Sequence, residues 1–165
     1  LFSGKFEENE IFFPMSEPDL QELYQSILIQ HSKSPLHYGK LEKFTHFSEG
    51  YNPLCGDAIS IYLSVQRGTI EKASFESASC AICKASASIL LEAVEGSSGE
   101  SFSKLQNGFS QMLDGDTQDK SSTLSSDISA FQGIQQFPSR KNCALLPWST
   151  LKKALDSKIE DSASD

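Results

Sequence analysis

The clearest period in the chain is an alternation: Ile59, Ile61, Leu63 and Val65 are separated by small or polar residues. A repeat of two puts these four side chains on one face, the pattern of a strand with one buried side. Gln66-Arg67-Gly68 then predicts a turn into a second strand, "TIEKASFES" (69–77). Upstream the period becomes helical. Leu20, Leu23, Tyr24, Ile27 and Leu28 form an apolar stripe, with Pro18 suited to a first turn and Glu17 and Asp19 where the helix dipole favours acids. This helix should stop before "SKSP" (32–35). "SCAICKASASILLEAVEG" (79–96), rich in alanine and leucine, predicts a second helix ended by Gly96. A third covers about 100–113, a short helical piece lies near 127–136, and "FPSRKNCALLPWSTLKKAL" (137–155) has an amphipathic tail.

Two strands do not make a stable sheet, so a third is expected in residues 41–52, where "KFTHFSEG" (43–50) supplies aromatics and a threonine. Runs of strands and runs of helices kept apart read as α+β. Residues 16–157 form the expected domain. Residues 1–15 read as an extension or tag ahead of a natural start at Met15, and 158–165 as a disordered tail. "DGDTQDKSSTLSSD" (114–127) is polar and reads as mobile, and the polar stretch of about 96–127 as an insertion.

Composition narrows the function. The 165 residues carry a formal charge of −8 and a pI near 4.9, which argues against a nucleic-acid backbone or an anionic membrane as partner and suits a basic protein. No apolar run approaches the roughly 20 residues that span a bilayer. The first fourteen residues lack the pattern of a signal peptide, so a reducing, cytoplasmic compartment is expected. There, four cysteines point to metal binding or reactivity before disulfides.

Three of those cysteines fall at predicted element boundaries. Cys55 opens a strand, Cys80 opens a helix, and Cys143 opens or just precedes the last one. A thiol at a helix N-terminus has its thiolate stabilised by exposed N–H groups. Asp57 stands two residues from Cys55, so in an extended segment both side chains point the same way, and Gly56 leaves the backbone approachable. Three thiolates and a carboxylate suffice for tetrahedral zinc. The plain alternatives stay open: a buried cysteine packs as a small hydrophobe, and an aspartate here could simply form a turn.

Cys83 makes a C-x-x-C with Cys80, either a spare ligand or redox partner on the same helix face or, as we favour, a small tolerated side chain. Pro147, four residues after Cys143, implies a helix that begins late or is kinked in its first turn. His31, His37 and His46 lie far upstream of Cys143 and read as surface or supporting residues.

"GYNPLCGD", "SCAICKASAS" and "FPSRKNCALLPW" together resemble the three signature segments of the IscU/SufU/NifU-N family of iron–sulfur cluster assembly proteins. The resemblance spans about residues 20–155. It implies a small antiparallel sheet of about three strands packed by helices, with a metal site at one end. It also implies that Cys55, Asp57, Cys80 and Cys143 are the ligands. Asn142 stands where scaffold-type members carry histidine, and the long interval from Cys80 to Cys143 matches SufU-type members. Those hold zinc and accept persulfide sulfur from a cysteine desulfurase for delivery to a downstream assembly scaffold. The resemblance gives the accepting role to Cys55, which would leave the metal to attack, and matches Arg140 to an arginine that could offset the negative charge of the site or orient Asp57. A scaffold that builds an iron–sulfur cluster on the same ligands is the alternative function, and an unrelated structural zinc domain with an inert Cys55 a third.

Overall fold

The computed structural model describes residues 16–116 and 124–157. The expectations for 1–15, 117–123 and 158–165 lie outside the described residues. Helix α1 (Glu17–Lys33) is followed by strands β1 (His46–Asn52), β2 (Asp57–Gln66) and β3 (Thr69–Ala78). Helices α2 (Ala81–Val94), α3 (Gly99–Leu113) and the short α4 (Ser126–Ser129) come next. A 3₁₀ segment (Ala130–Ile134) then leads into α5 (Pro138–Asp156).

The three strands form one antiparallel sheet in the order β1-β2-β3. The expected third strand is thus β1. Gln66 pairs with Thr69, and both residues between them have positive φ (Arg67 53°, Gly68 79°), the two-residue turn whose twist suits a hairpin. The alternation reads as the pattern predicts, with Ile59, Ile61, Leu63 and Phe75 buried on the inner face. α5 lies across β1 and β2, and α2 packs between α5 and α1.

Helix starts follow side-chain capping. Ser16 Oγ accepts from the Asp19 N–H at 3.3 Å, Ser98 Oγ from the Ser101 N–H at 3.1 Å, and the Cys80 thiol from the Cys83 N–H at 3.5 Å. α1 runs to Lys33, slightly further than expected, and of its stripe only Leu28 is buried while Leu23 is exposed.

The helix expected over about 100–113 is α3, which lies within the polar stretch of about 96–127. α3 fills much of it and sends Phe102, Phe109, Met112 and Leu113 into the core, where Phe109 stacks on Trp148 at 4.1 Å between centroids. The last helix also departs from expectation. α5 begins at Pro138, whose missing N–H costs nothing in a first turn, and runs straight through Pro147. Cys143 therefore sits in the second turn, not at a helix start.

Tertiary contacts hold α5 through that proline. The Ser86 hydroxyl donates to the Ala144 carbonyl at 2.6 Å and accepts from Trp148 Nε1–H at 3.0 Å, a buried tie from α2 to both sides of Pro147. Among the described residues no helix is long and apolar enough to cross a membrane.

Candidate metal centre

The site forms at the end of the sheet where the β1–β2 hairpin closes. Asn52 pairs with Asp57, leaving Pro53-Leu54-Cys55-Gly56 as the loop. The Leu54 N–H donates to Asn52 Oδ1 at 3.2 Å and the Gly56 N–H to the Asn52 carbonyl at 2.8 Å. Gly56 has φ of +72°, the left-handed conformation glycine adopts without strain. A Cβ there would meet nothing within 4 Å, so the glycine serves the turn and not a close approach. Cys55 lies in this turn and does not open a strand. Its convergence with Asp57 comes from the turn, and the expectation of two side chains alternating along one extended segment is corrected.

Asp57 opens β2 with 1% of its surface exposed. Its Oδ1 accepts from the Cys80 N–H at 2.8 Å, and its Oδ2 lies 3.8 Å from Cys80 Sγ. Cys80 is the N-cap of α2, so its thiol does sit among the exposed N–H groups of a helix start. Cys143 reaches the same place from α5 and lies 3.3 Å from Cys55, Sγ to Sγ. The donor atoms of Cys55, Asp57 and Cys143 all lie within 4.8 Å of one another, and Cys80 abuts Asp57.

Four ligands around zinc, with Zn–S near 2.3 Å, stand roughly 3.7 Å apart along the edges of a tetrahedron. The 3.3 and 3.8 Å separations are close to that spacing, and the donor set of thiols and carboxylate is of the kind zinc takes. Cys55 and Cys80 are exposed, whereas Cys143 and Cys83 are buried. Burial first, and then contacts with Asp57, Cys55 and Cys80, push the Cys143 thiol up. Burial likewise pushes Cys83 up to about 12, against a smaller lowering effect from Ser79.

The histidines are engaged elsewhere. His31 bonds Ser88 (2.7 Å) and Asp127 (3.2 Å), His37 bonds Glu92 (2.8 Å), and His46 lies at the far end of β1 beside Thr45. Asn142 is exposed beside Cys143. Arg140, exposed in the first turn of α5, stacks its guanidinium 5.1 Å from the Phe137 ring centroid. It lines an apolar groove of about 420 Å³ with Tyr24, Leu28, Ile82 and Ile134, and among the described residues it forms no ion pair. Asn52, the floor of the Cys55 loop, has no role in the sequence reading. The Asn-Pro dipeptide that marks such a side-chain-capped turn was its only signal.

Residues 23–144 match the model of the NifU-like N terminal domain. The chain belongs to that family. Two family relatives are similar over nearly their full length. The zinc-dependent sulfurtransferase SufU of Bacillus subtilis (strain 168) is 35% identical over 137 residues, 83% of this chain and 92% of that protein. The iron-sulfur cluster assembly scaffold protein IscU of Thermotoga maritima is 36% identical over 137 residues, with 81% and 92% covered. Among solved structures, FiSufU of Fervidobacterium islandicum AW-1, described as an iron-sulfur cluster assembly scaffold protein for the SUF system, superposes with a TM-score of 0.73 at 30% identity. That match covers 78% of this chain and 93% of the other. These likenesses support the α+β fold of this chain and a role in iron–sulfur cluster assembly. Identity alone does not separate the two kinds of relative.

Proposed function

We propose that this protein is a zinc-dependent sulfur carrier of iron–sulfur cluster assembly, accepting persulfide sulfur from a cysteine desulfurase on Cys55 and passing it to an assembly scaffold. The observation that carries this reading is the clustering of Cys55, Asp57 and Cys143, with Cys80 against Asp57, where Cys55 alone of the ligand thiols rides on an exposed turn. Asn142 supports the carrier over the scaffold branch, because the position beside the last cysteine offers no histidine.

Cys55, Asp57, Cys80 and Cys143 would hold zinc, which when bound keeps thiols deprotonated at neutral pH. Cys55 Sγ attacks the terminal sulfur of the donor persulfide. A new Sγ–S bond forms, the donor S–S bond breaks, and the donor thiolate leaves with the electron pair, so no external oxidant is needed. Loop placement lets Cys55 move without disturbing Cys143, held on α5, or Cys80, fixed at the N-cap of α2. Arg140, one turn before Cys143, supplies positive charge towards an otherwise anionic centre. Arg140→Ala should lower sulfur transfer with zinc retained, and unchanged desulfurase stimulation would remove it from the mechanism.

The decisive experiment measures desulfurase turnover with the wild-type chain and with Cys55→Ala. Stimulation by the wild type alone supports the carrier, and equal stimulation by both overturns it. The scaffold alternative draws on the equal likeness to IscU. Protein purified without added metal separates them: stoichiometric colourless zinc for the carrier, iron and sulfide for the scaffold.

A further inference from the structure

Asn52 closes the hairpin directly opposite Asp57. Opposed residues of an antiparallel pair project to the same face, and Asp57 turns its carboxylate inward to Cys80. The Asn52 side chain shares that face and is 8% exposed. Its orientation is fixed by the loop: the Leu54 N–H needs an acceptor and takes Oδ1, which leaves the NH₂ group on the other side. That Nδ2 is buried and, among the described residues, has no hydrogen-bond partner. Buried amides are seldom left so, and one that is needs a reason.

The course of α5 places this amide. Lys153 Nζ donates to the Glu49 carbonyl at 2.8 Å, and Gly50 lies against Thr150 and Leu146. Strand and helix therefore run in opposite directions. Two further strand residues, roughly 6.6 Å, match about four helix residues, which sets Asn52 opposite the turn that carries Cys143. Cys143 in turn lies 3.3 Å from Cys55. A donor with nothing to bond thus sits beneath a group of thiols and a carboxylate, all of which carry or take up negative charge.

We propose that Asn52 is a catalytic residue of sulfur transfer, donating Nδ2–H to the sulfur borne by Cys55. The inference rests on Cys55 being the acceptor. As the Sγ–S bond forms, the charge of the attacking thiolate leaves with the donor thiolate, and the terminal sulfur of the new persulfide, a stronger acid than a thiol, releases its proton and carries negative charge one atom beyond Sγ. A donor fixed in the floor of the loop steadies the sulfur that Cys55 takes on, as it arrives and in the persulfide that results.

Asn52→Ser and Asn52→Asp test this cleanly, because both keep an oxygen for the Leu54 N–H and both delete the NH₂ donor. Zinc-loaded wild type and variants are mixed anaerobically with glutathione persulfide, and sulfur on the Cys55 peptide is followed by alkylation and mass spectrometry. The expected result is a rate of persulfide formation about tenfold lower in Asn52→Ser, what one hydrogen bond to a charged sulfur supplies. Asn52→Asp should fall further, since its charge repels the thiolate. In both, the persulfide is shorter-lived, and in Asn52→Ser zinc content and denaturation midpoint match wild type. Wild-type rate and lifetime in both variants overturn the proposal and leave the acceptor reading standing. Loss of zinc or of the fold in both marks Asn52 as structural and also overturns it. Sulfur uptake that survives Cys55→Ser overturns the acceptor reading itself, and this inference with it.

Discussion

Asp57 does two things with one carboxylate, and they can be separated. One oxygen accepts from the Cys80 N–H and so fixes the start of α2; the other faces Cys80 Sγ within the candidate centre. Asp57→Ala should cost about 1.5–3 kcal/mol, the range for a buried hydrogen bond to a charged group. Asp57→Asn retains an oxygen for the Cys80 N–H and should stay within about 1 kcal/mol of wild type. Its zinc affinity should still fall at least roughly tenfold, because the anionic donor is gone. Denaturant titration and competition with a zinc chelator read the two effects independently; equal zinc affinity in Asp57→Asn would strike Asp57 from the ligand set. Nominating these residues from sequence was possible because each donor sits in a short, chemically explicit segment. How Cys55 reaches Asp57 was not legible, since it depends on the +72° φ of Gly56 and on Asn52 capping the turn. A two-residue spacing looks the same in a strand and in a loop.

At the scale of elements, α5 sets the position of Cys143, and the sequence was least informative there. Pro147 cannot donate to the Cys143 carbonyl four residues back, and local accounting therefore stops the helix. The real helix is held by partners distant in sequence. Ser86 clamps Ala144 and Trp148 on either side of the proline, and Phe109 stacks on the same Trp148. Gly50 lets the helix come close: a Cβ there would collide with Thr150 and crowd Leu146. None of these has a periodic signature. Ser86→Ala leaves the Trp148 N–H and the Ala144 carbonyl buried without that partner and should cost about 2–3 kcal/mol. The same substitution should weaken zinc binding although Ser86 is not a ligand, because it loosens the helix that presents Cys143. Unchanged stability in Ser86→Ala would show that α5 is held by apolar packing alone.

Over the whole molecule, the periodic elements were legible and the charged surface was informative, but burial of ionisable groups was not, since burial is a property of the assembled fold. Tyr62 lies at a polar position of the alternation yet is 6% exposed, under Phe44 and Phe47. Burial, then the hydrogen bond to Glu76, raises its hydroxyl to about 12. Cys83, read as a small tolerated side chain, is fully enclosed and stands at about 12. Cys143 moves the same way. Each of these acids is harder to ionise folded than unfolded, so each contributes nothing pH-dependent while both states keep the proton. Above the unfolded value, 9.0 for the cysteines and 10.0 for the tyrosine, only the unfolded chain ionises. Stability is then lost as pH rises towards the folded values. The metal-free protein should weaken from about pH 9 upward by up to about 1.4 kcal/mol per pH unit for each group. Cys83→Ala should flatten the slope from the lower onset, and Tyr62→Phe only above about pH 10. Denaturant midpoints of the metal-free protein between about pH 8 and 11 measure this. If both variants keep the wild-type slope, these two groups are not what the alkaline loss reports.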